Sequence, residues 1–136
     1  MEQPIRVLLA KPTHDSHDRG VRYLARVLRD GGFEVVFMNF LLPEDVLSAA
    51  TQEDVDVIGI SSSAGGHMHV FIEIAQALKE SGQQDVLLMG GGIISSSDVK
   101  KLRAEGVGRI FGPGSDPDEI KSYIRENARV ATGTRN

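Results

Sequence analysis

The sequence predicts an α/β fold built on a doubly wound parallel sheet. Two observations carry this. Short apolar runs suited to buried strands alternate with stretches of helical period, five of each. Glycine and proline fall where one period gives way to the other, as at Gly31-Gly32 and Pro43. Size and composition agree: 136 residues, 40% apolar and 25% charged, suit one domain that buries roughly two-thirds of its unfolded surface. Crossovers between parallel strands are right-handed. For five such units the common order is 2-1-3-4-5, the flavodoxin-like arrangement with helices on both faces.

Each element has its own signal. Ile5–Ala10 is a short buried-strand run. Arg19–Asp30 places Val21, Leu24, Ala25 and Leu28 on one helical face, and Gly31-Gly32 ends it. Phe33–Phe37 reads as the second strand. Pro43 opens a helix through Val46, Leu47 and Ala50, since proline is tolerated in a first turn. Val55–Ile60 is the third strand, and Met68–Lys79 a helix with Val70, Phe71, Ile74, Ala77 and Leu78 inward. Val86–Met89 is the fourth strand, Ser97–Ala104 a short helix and Gly108–Phe111 a short fifth strand. Pro117–Asn127 is the last helix, with Ile120, Tyr123 and Ile124 on one face. The domain is expected to span residues 1–128, with 129–136 a polar tail that frays.

Composition removes several functions. A net charge of −4 argues against a phosphate-backbone binder, which concentrates Lys and Arg on one face, so no nucleic-acid partner is expected. No cysteine means no disulfide, thiolate metal site or thiol nucleophile. No apolar run approaches the roughly 20 residues that span a bilayer, and Met1–Lys11 lacks the pattern of a signal segment. The expectation is a cytoplasmic protein with no membrane partner.

Ligands of an open parallel sheet bind beyond the carboxyl ends of its strands. The segments expected there are Lys11–Gly20, Ser61–His67, Gly90–Gly92 and Gly112–Ser115. Glycine after neighbouring strands leaves a slot without side chains, open to a flat or extended group. Glycine is also common in such loops for turn geometry alone. In the first segment Asp15 can accept the ring N–H of His17, and Lys11 can pair with Asp15; the free imidazole nitrogen then suits a later first-row transition metal. A solvated loop, or Asp15 or Ser16 capping the next helix, accounts for the same residues. His69 falls in the first turn of a helix as a surface residue, and no carboxylate stands clearly beside His67.

Asp15-Ser16-His17-Asp18-Arg19-Gly20 resembles the Asp-x-His-x-x-Gly motif of cobalamin-binding domains. That family's Ser-x-Leu element falls at Ser61-Ser62-Ser63 and its Gly-Gly at Gly91-Gly92. These motifs come after the strands the family uses, and the resemblance covers nearly the whole chain. His17-Asp18-Arg19-Gly20 and Phe111-Gly112-Pro113-Gly114 are most similar to acyl-CoA mutases of the methylmalonyl-CoA mutase type. The resemblance implies adenosylcobalamin as cofactor, with His17 as the lower axial ligand of cobalt, Asp15 orienting it and Lys11 extending the triad. It implies a displaced nucleotide tail in the slot, with Ser61 bonded to its benzimidazole and Gly91 and Gly92 passing it without clash. Phe111, Gly112, Gly114 and Ser115 would line the far side, and Gly20 would allow close approach. Ser63 stands where the family has leucine, removing about 1–2 kcal/mol of apolar contact with the tail. His14 stands where an apolar residue is common.

The same resemblance implies the cobalamin-binding small subunit of a two-subunit acyl-CoA mutase, inactive alone. The cofactor does the difficult chemistry, homolysis of a cobalt–carbon bond. A large barrel subunit would bind the acyl-CoA, of methylmalonyl-, isobutyryl- or 2-hydroxyisobutyryl-CoA type, for a radical carbon-skeleton rearrangement. No catalytic residue beyond the cobalt ligand is expected here. The alternative is a corrinoid carrier for methyl transfer, which usually has a helical cap domain before this fold; only Met1–Pro4 precede the first strand. A phosphoacceptor receiver shares the strand order but needs an Asp at the end of the third strand, where this chain has Ile60-Ser61.

Overall fold

The computed structural model describes residues 4–13, 19–62, 67–112 and 114–128. The elements are β1 (Arg6–Pro12), α1 (Arg19–Asp30), β2 (Glu34–Phe40), α2 (Pro43–Glu53) and β3 (Val57–Ser62). They continue with α3 (His67–Glu80), β4 (Leu87–Gly92), α4 (Ser96–Ala104), β5 (Ile110–Phe111) and α5 (Pro117–Asn127). All sheet pairings are parallel, in the order β2-β1-β3-β4-β5. The expected topology is therefore the observed one.

The period-two alternation of the strands sorts the core into two layers. Leu8, Ala10, Ile58, Ile60 and Leu88 pack against Val46 and Ala50 of α2, Phe71, Ile74, Ala75 and Leu78 of α3, and Leu102 of α4. Val7, Leu9, Val57, Met89 and Phe111 pack on the opposite face against Val21, Ala25 and Leu28 of α1 and Ile120 and Ile124 of α5. On α3 the small buried residue is Ala75, with Ala77 only partly covered, because the 100° step carries the face through Phe71, Ile74, Ala75 and Leu78.

Local chemistry sets the helix starts. Asp45 Oδ2 accepts the Leu42 N–H at 3.0 Å, ahead of Pro43 at the first position of α2. Ser95 Oγ accepts the Asp98 N–H at 3.2 Å to begin α4. Asp116 Oδ1 accepts the Asp118 N–H at 2.9 Å to begin α5. Asp54 ends α2 in the left-handed region, at φ 50°.

Four strands run further at their carboxyl ends than their apolar runs suggest. β1 continues through Lys11 and Pro12, and β2 through Met38-Asn39-Phe40, in register with each other. β3 continues through Ser61 and Ser62, paired with Gly91 and Gly92 of β4. The residues expected in loops there are thus the last rungs of the sheet. Backbone pairing holds them, including Lys11, Asn39, Ser61, Ser62 and the glycines of β4, whose side chains are polar or absent. β5 is shorter than expected, Ile110–Phe111 alone.

Candidate functional site

The strand extensions create a cleft of about 430 Å³ at the carboxyl edge of the sheet, between α1 and α5. Its floor is the face of the sheet that α1 and α5 cover. Leu9, Gly59, Ser61, Met89, Gly91 and Phe111 all line it. Leu9, Met89 and Phe111 belong to the α1/α5 core layer, and the alternation puts Gly59, Ser61 and Gly91 on that same face. Gly20, Val21, Tyr23 and Leu24 of α1 form one wall. Gly112, Gly114, Ser115, Pro117 and Ile120 form the other.

Missing side chains make the opening. A Cβ on Gly91 would meet the Phe111 carbonyl oxygen at 3.6 Å, an ordinary contact, and a Cβ on Gly20, Gly112 or Gly114 would meet nothing within 4 Å. Gly92 has φ +142°, a conformation that side chains rarely adopt. Gly90 also lines the cleft with its backbone, but its Cβ direction points to the other face. A Cβ there would collide with the Phe71 ring, with Cε1 2.8 Å away, and with Ile110 Cδ1 at 2.9 Å. So the glycines after Met89 divide between a packing role and an open slot.

Of the residues singled out from the sequence, Gly20, Ser61, Gly91, Gly92, Phe111, Gly112, Gly114 and Ser115 come together in this cleft. Ser61 is half-buried at its sheet edge. Ser115 Oγ donates to the Gly112 carbonyl oxygen at 2.7 Å, fixing the turn after β5. Lys11 and Arg19 lie outside the lining. Lys11 is buried on β1, 5% exposed, with Nζ donating to the Pro12 carbonyl at 3.3 Å. Arg19 is exposed at the start of α1. Asp15, Ser16, His17, Asp18 and Ser63 lie outside the described residues, as do His14 and the 129–136 tail. His69 is an exposed residue of α3, its Nε2 2.6 Å from Glu73 Oε1.

Reading only the segments after the strands missed part of the cleft. Leu9, Gly59, Met89, Val21, Leu24 and Ile120 contribute to it from within the elements. The signal was available: Leu9 shares a strand face with Lys11, and Met89 with Gly91.

The cleft can take a flat, largely apolar group with polar edges. Its volume lies in the usual range for small-molecule sites. Its walls are aliphatic and aromatic, and Ser61 and Ser115 place hydroxyls beside it. A benzimidazole nucleotide has that character, and the glycine-lined floor is the cradle such a group needs.

Fold and cleft define a class: a parallel α/β domain with an open cleft at the carboxyl edge of its sheet. The sequence matches the B12 binding domain family over residues 5–121, and the chain belongs to that family. It is 41% identical over 125 residues to the 2-hydroxyisobutanoyl-CoA mutase small subunit of Aquincola tertiaricarbonis, covering 91% of this chain and 92% of that one. It is 43% identical over 123 residues to the pivalyl-CoA mutase small subunit of Xanthobacter autotrophicus, covering 90% of this chain and 82% of that one. The methylmalonyl-CoA mutase of Escherichia coli is 40% identical over 111 residues, 81% of this chain but 16% of that far longer one.

Solved structures extend the likeness of fold. A cobalamin-binding protein from Desulfitobacterium hafniense superposes with TM-score 0.75 at 19% identity, over 90% of this chain and 59% of that one. The signal receiver domain of a response regulator from Mycobacterium tuberculosis superposes with TM-score 0.73 at 15% identity, over 98% of this chain and 99% of that one. Among the described residues, no helix is long and apolar enough to cross a membrane.

Proposed function

We propose that this chain is the cobalamin-binding small subunit of a two-subunit acyl-CoA mutase, with adenosylcobalamin as its cofactor. His17 would hold the cobalt through one ring nitrogen, with Asp15 accepting the other ring N–H and Lys11 balancing Asp15. The nucleotide tail occupies the cleft over Gly91 and Gly92, with Ser61 hydrogen-bonded to its base. The observation that supports this reading is the cleft at the sheet edge, where Gly20 of the Asp-x-His-x-x-Gly element, Ser61 of the Ser-x-Leu element and Gly91-Gly92 come together.

When bound, adenosylcobalamin supplies cobalt–carbon homolysis. This chain's residues bind and orient it: aliphatic groups of α1 and α5 exclude water from the tail, and the glycines admit it. The substrate is an acyl-CoA held by a large barrel subunit, in keeping with the small-subunit relatives named for 2-hydroxyisobutanoyl-CoA and pivalyl-CoA. The assembly works in the cytoplasm.

The test is electron paramagnetic resonance of the protein loaded with the cobalt(II) form of the cofactor. The spectrum is expected to show coupling to a protein nitrogen that changes on isotopic labelling of histidine and disappears in His17→Ala. A wild-type spectrum without that coupling overturns the ligand assignment. Mutase turnover is expected only when the large subunit is added, and turnover by this chain alone contradicts the two-subunit reading.

A further inference from the structure

Phe111 forms part of the cleft wall, yet β5 is only two residues long and lies at the edge of the sheet. So short a strand fixes an aromatic side chain poorly by itself. The ring is held from outside the sheet. The Arg109 guanidinium carbon stands 4.5 Å from the Phe111 ring centroid, a cation–π contact. The same guanidinium reaches Glu119 of α5 at 3.4 Å. Tyr123 of α5 meets Phe111 edge-on, with centroids 5.6 Å apart and planes at 76°, a favoured aromatic geometry.

The hydroxyl of Tyr123 ties this group to the backbone. Gly108 donates its N–H to the Leu88 carbonyl at 2.7 Å, and the Arg109 carbonyl accepts from Gly90 at 3.2 Å. The Arg109 N–H donates instead to the Tyr123 hydroxyl oxygen at 2.9 Å. That contact exists because residue 108 has no side chain: a Cβ on Gly108 would collide with the Tyr123 hydroxyl. The clamp runs from α5, through Tyr123 and Glu119, to Arg109 and then Phe111.

We propose that Tyr123 and Arg109, admitted by Gly108, are positioning residues that set the width of the tail slot by holding Phe111. The proposal rests on the reading of the cleft as the nucleotide-tail site. It predicts an effect confined to ligands that carry the tail.

The experiment titrates the full chain with cobalamin and with cobinamide, which keeps the corrin and lacks the nucleotide. Wild type is expected to prefer cobalamin. Tyr123→Phe, which keeps the ring and loses the hydroxyl, is expected to weaken cobalamin binding about threefold to tenfold and leave cobinamide unchanged. Arg109→Gln is expected to weaken it about twofold to fivefold, with recovery in Arg109→Lys, which restores a cation over the ring. Equal losses for both ligands, or no loss in Tyr123→Phe, overturn the proposal while the wild-type preference leaves the cleft reading standing. A wild type that binds both ligands equally overturns the cleft reading, and the positioning role with it.

Discussion

Gly91 stands opposite Phe111 in the β4–β5 ladder, so a residue without a side chain faces the aromatic wall of the cleft. Among the described residues, the Phe111 carbonyl oxygen at 3.6 Å is the one atom a Cβ on Gly91 would touch. Space there is open rather than packed. A larger residue at 91 therefore fills the slot without disturbing the core. Gly91→Leu is expected to weaken cobalamin binding at least tenfold, about 1.4 kcal/mol or more. Unfolding free energy in urea should stay within about 1 kcal/mol of wild type, since strand glycine is itself mildly unfavourable. A Gly91→Leu protein that keeps full affinity would remove the tail from this cleft.

Gly90, one position earlier, is expected to behave oppositely. Its absent side chain makes room for the Phe71 ring and for Ile110. Both belong to the layer under α2, α3 and α4, away from the cleft. Gly90→Ala forces that packing apart and should cost about 1–3 kcal/mol of stability. Cobalamin affinity of the folded fraction should change little. Urea unfolding and a cofactor titration on the same preparation separate the two effects. A Gly90→Ala variant as stable as wild type would contradict the packing role.

Gly90 and Gly91 also show where sequence reading stops. The alternation of strand and helix periods made the element order legible, because buried positions recur at helical spacing: Val21, Ala25 and Leu28 on α1, Ile120 and Ile124 on α5. Ser61 and the cleft glycines that follow the strands, Gly91, Gly92, Gly112 and Gly114, were legible because ligands of this sheet type bind at the carboxyl edge, whereas Gly59 within β3 was not. The strand ends were not. Ser61-Ser62 and Gly91-Gly92 pair with each other in the backbone ladder, and a pattern read from side chains does not register that. The division of labour between Gly90 and Gly91 becomes visible only once each is assigned to a face. Phe71, which requires Gly90 to be glycine, is distant in sequence, so nothing local marks the requirement. The Arg109–Tyr123 contact hides for the same reason: it joins a strand edge to a helix across a turn.

The far end of the sheet supplies a control. Asp56, fully buried just before β3, accepts the Arg6 backbone N–H on Oδ2 at 2.9 Å. Arg6 in turn pairs with Glu34 at 2.7 Å, and that carboxylate holds the guanidinium pKa above its usual value. These groups tie the starts of β1, β2 and β3 together, at the amino edge of the sheet and away from the cleft. Asp56→Ala leaves a backbone donor without its carboxylate and should lower stability by about 1–3 kcal/mol. The cofactor's dissociation constant should not move. Saturating cobalamin, at about a hundred times that constant, should then add about 2.7 kcal/mol to wild type and variant alike. Denaturant curves with and without cobalamin measure both quantities. If the increment collapses in Asp56→Ala while the protein stays folded, the two ends of the sheet are coupled, and the cleft is not independent of the amino edge.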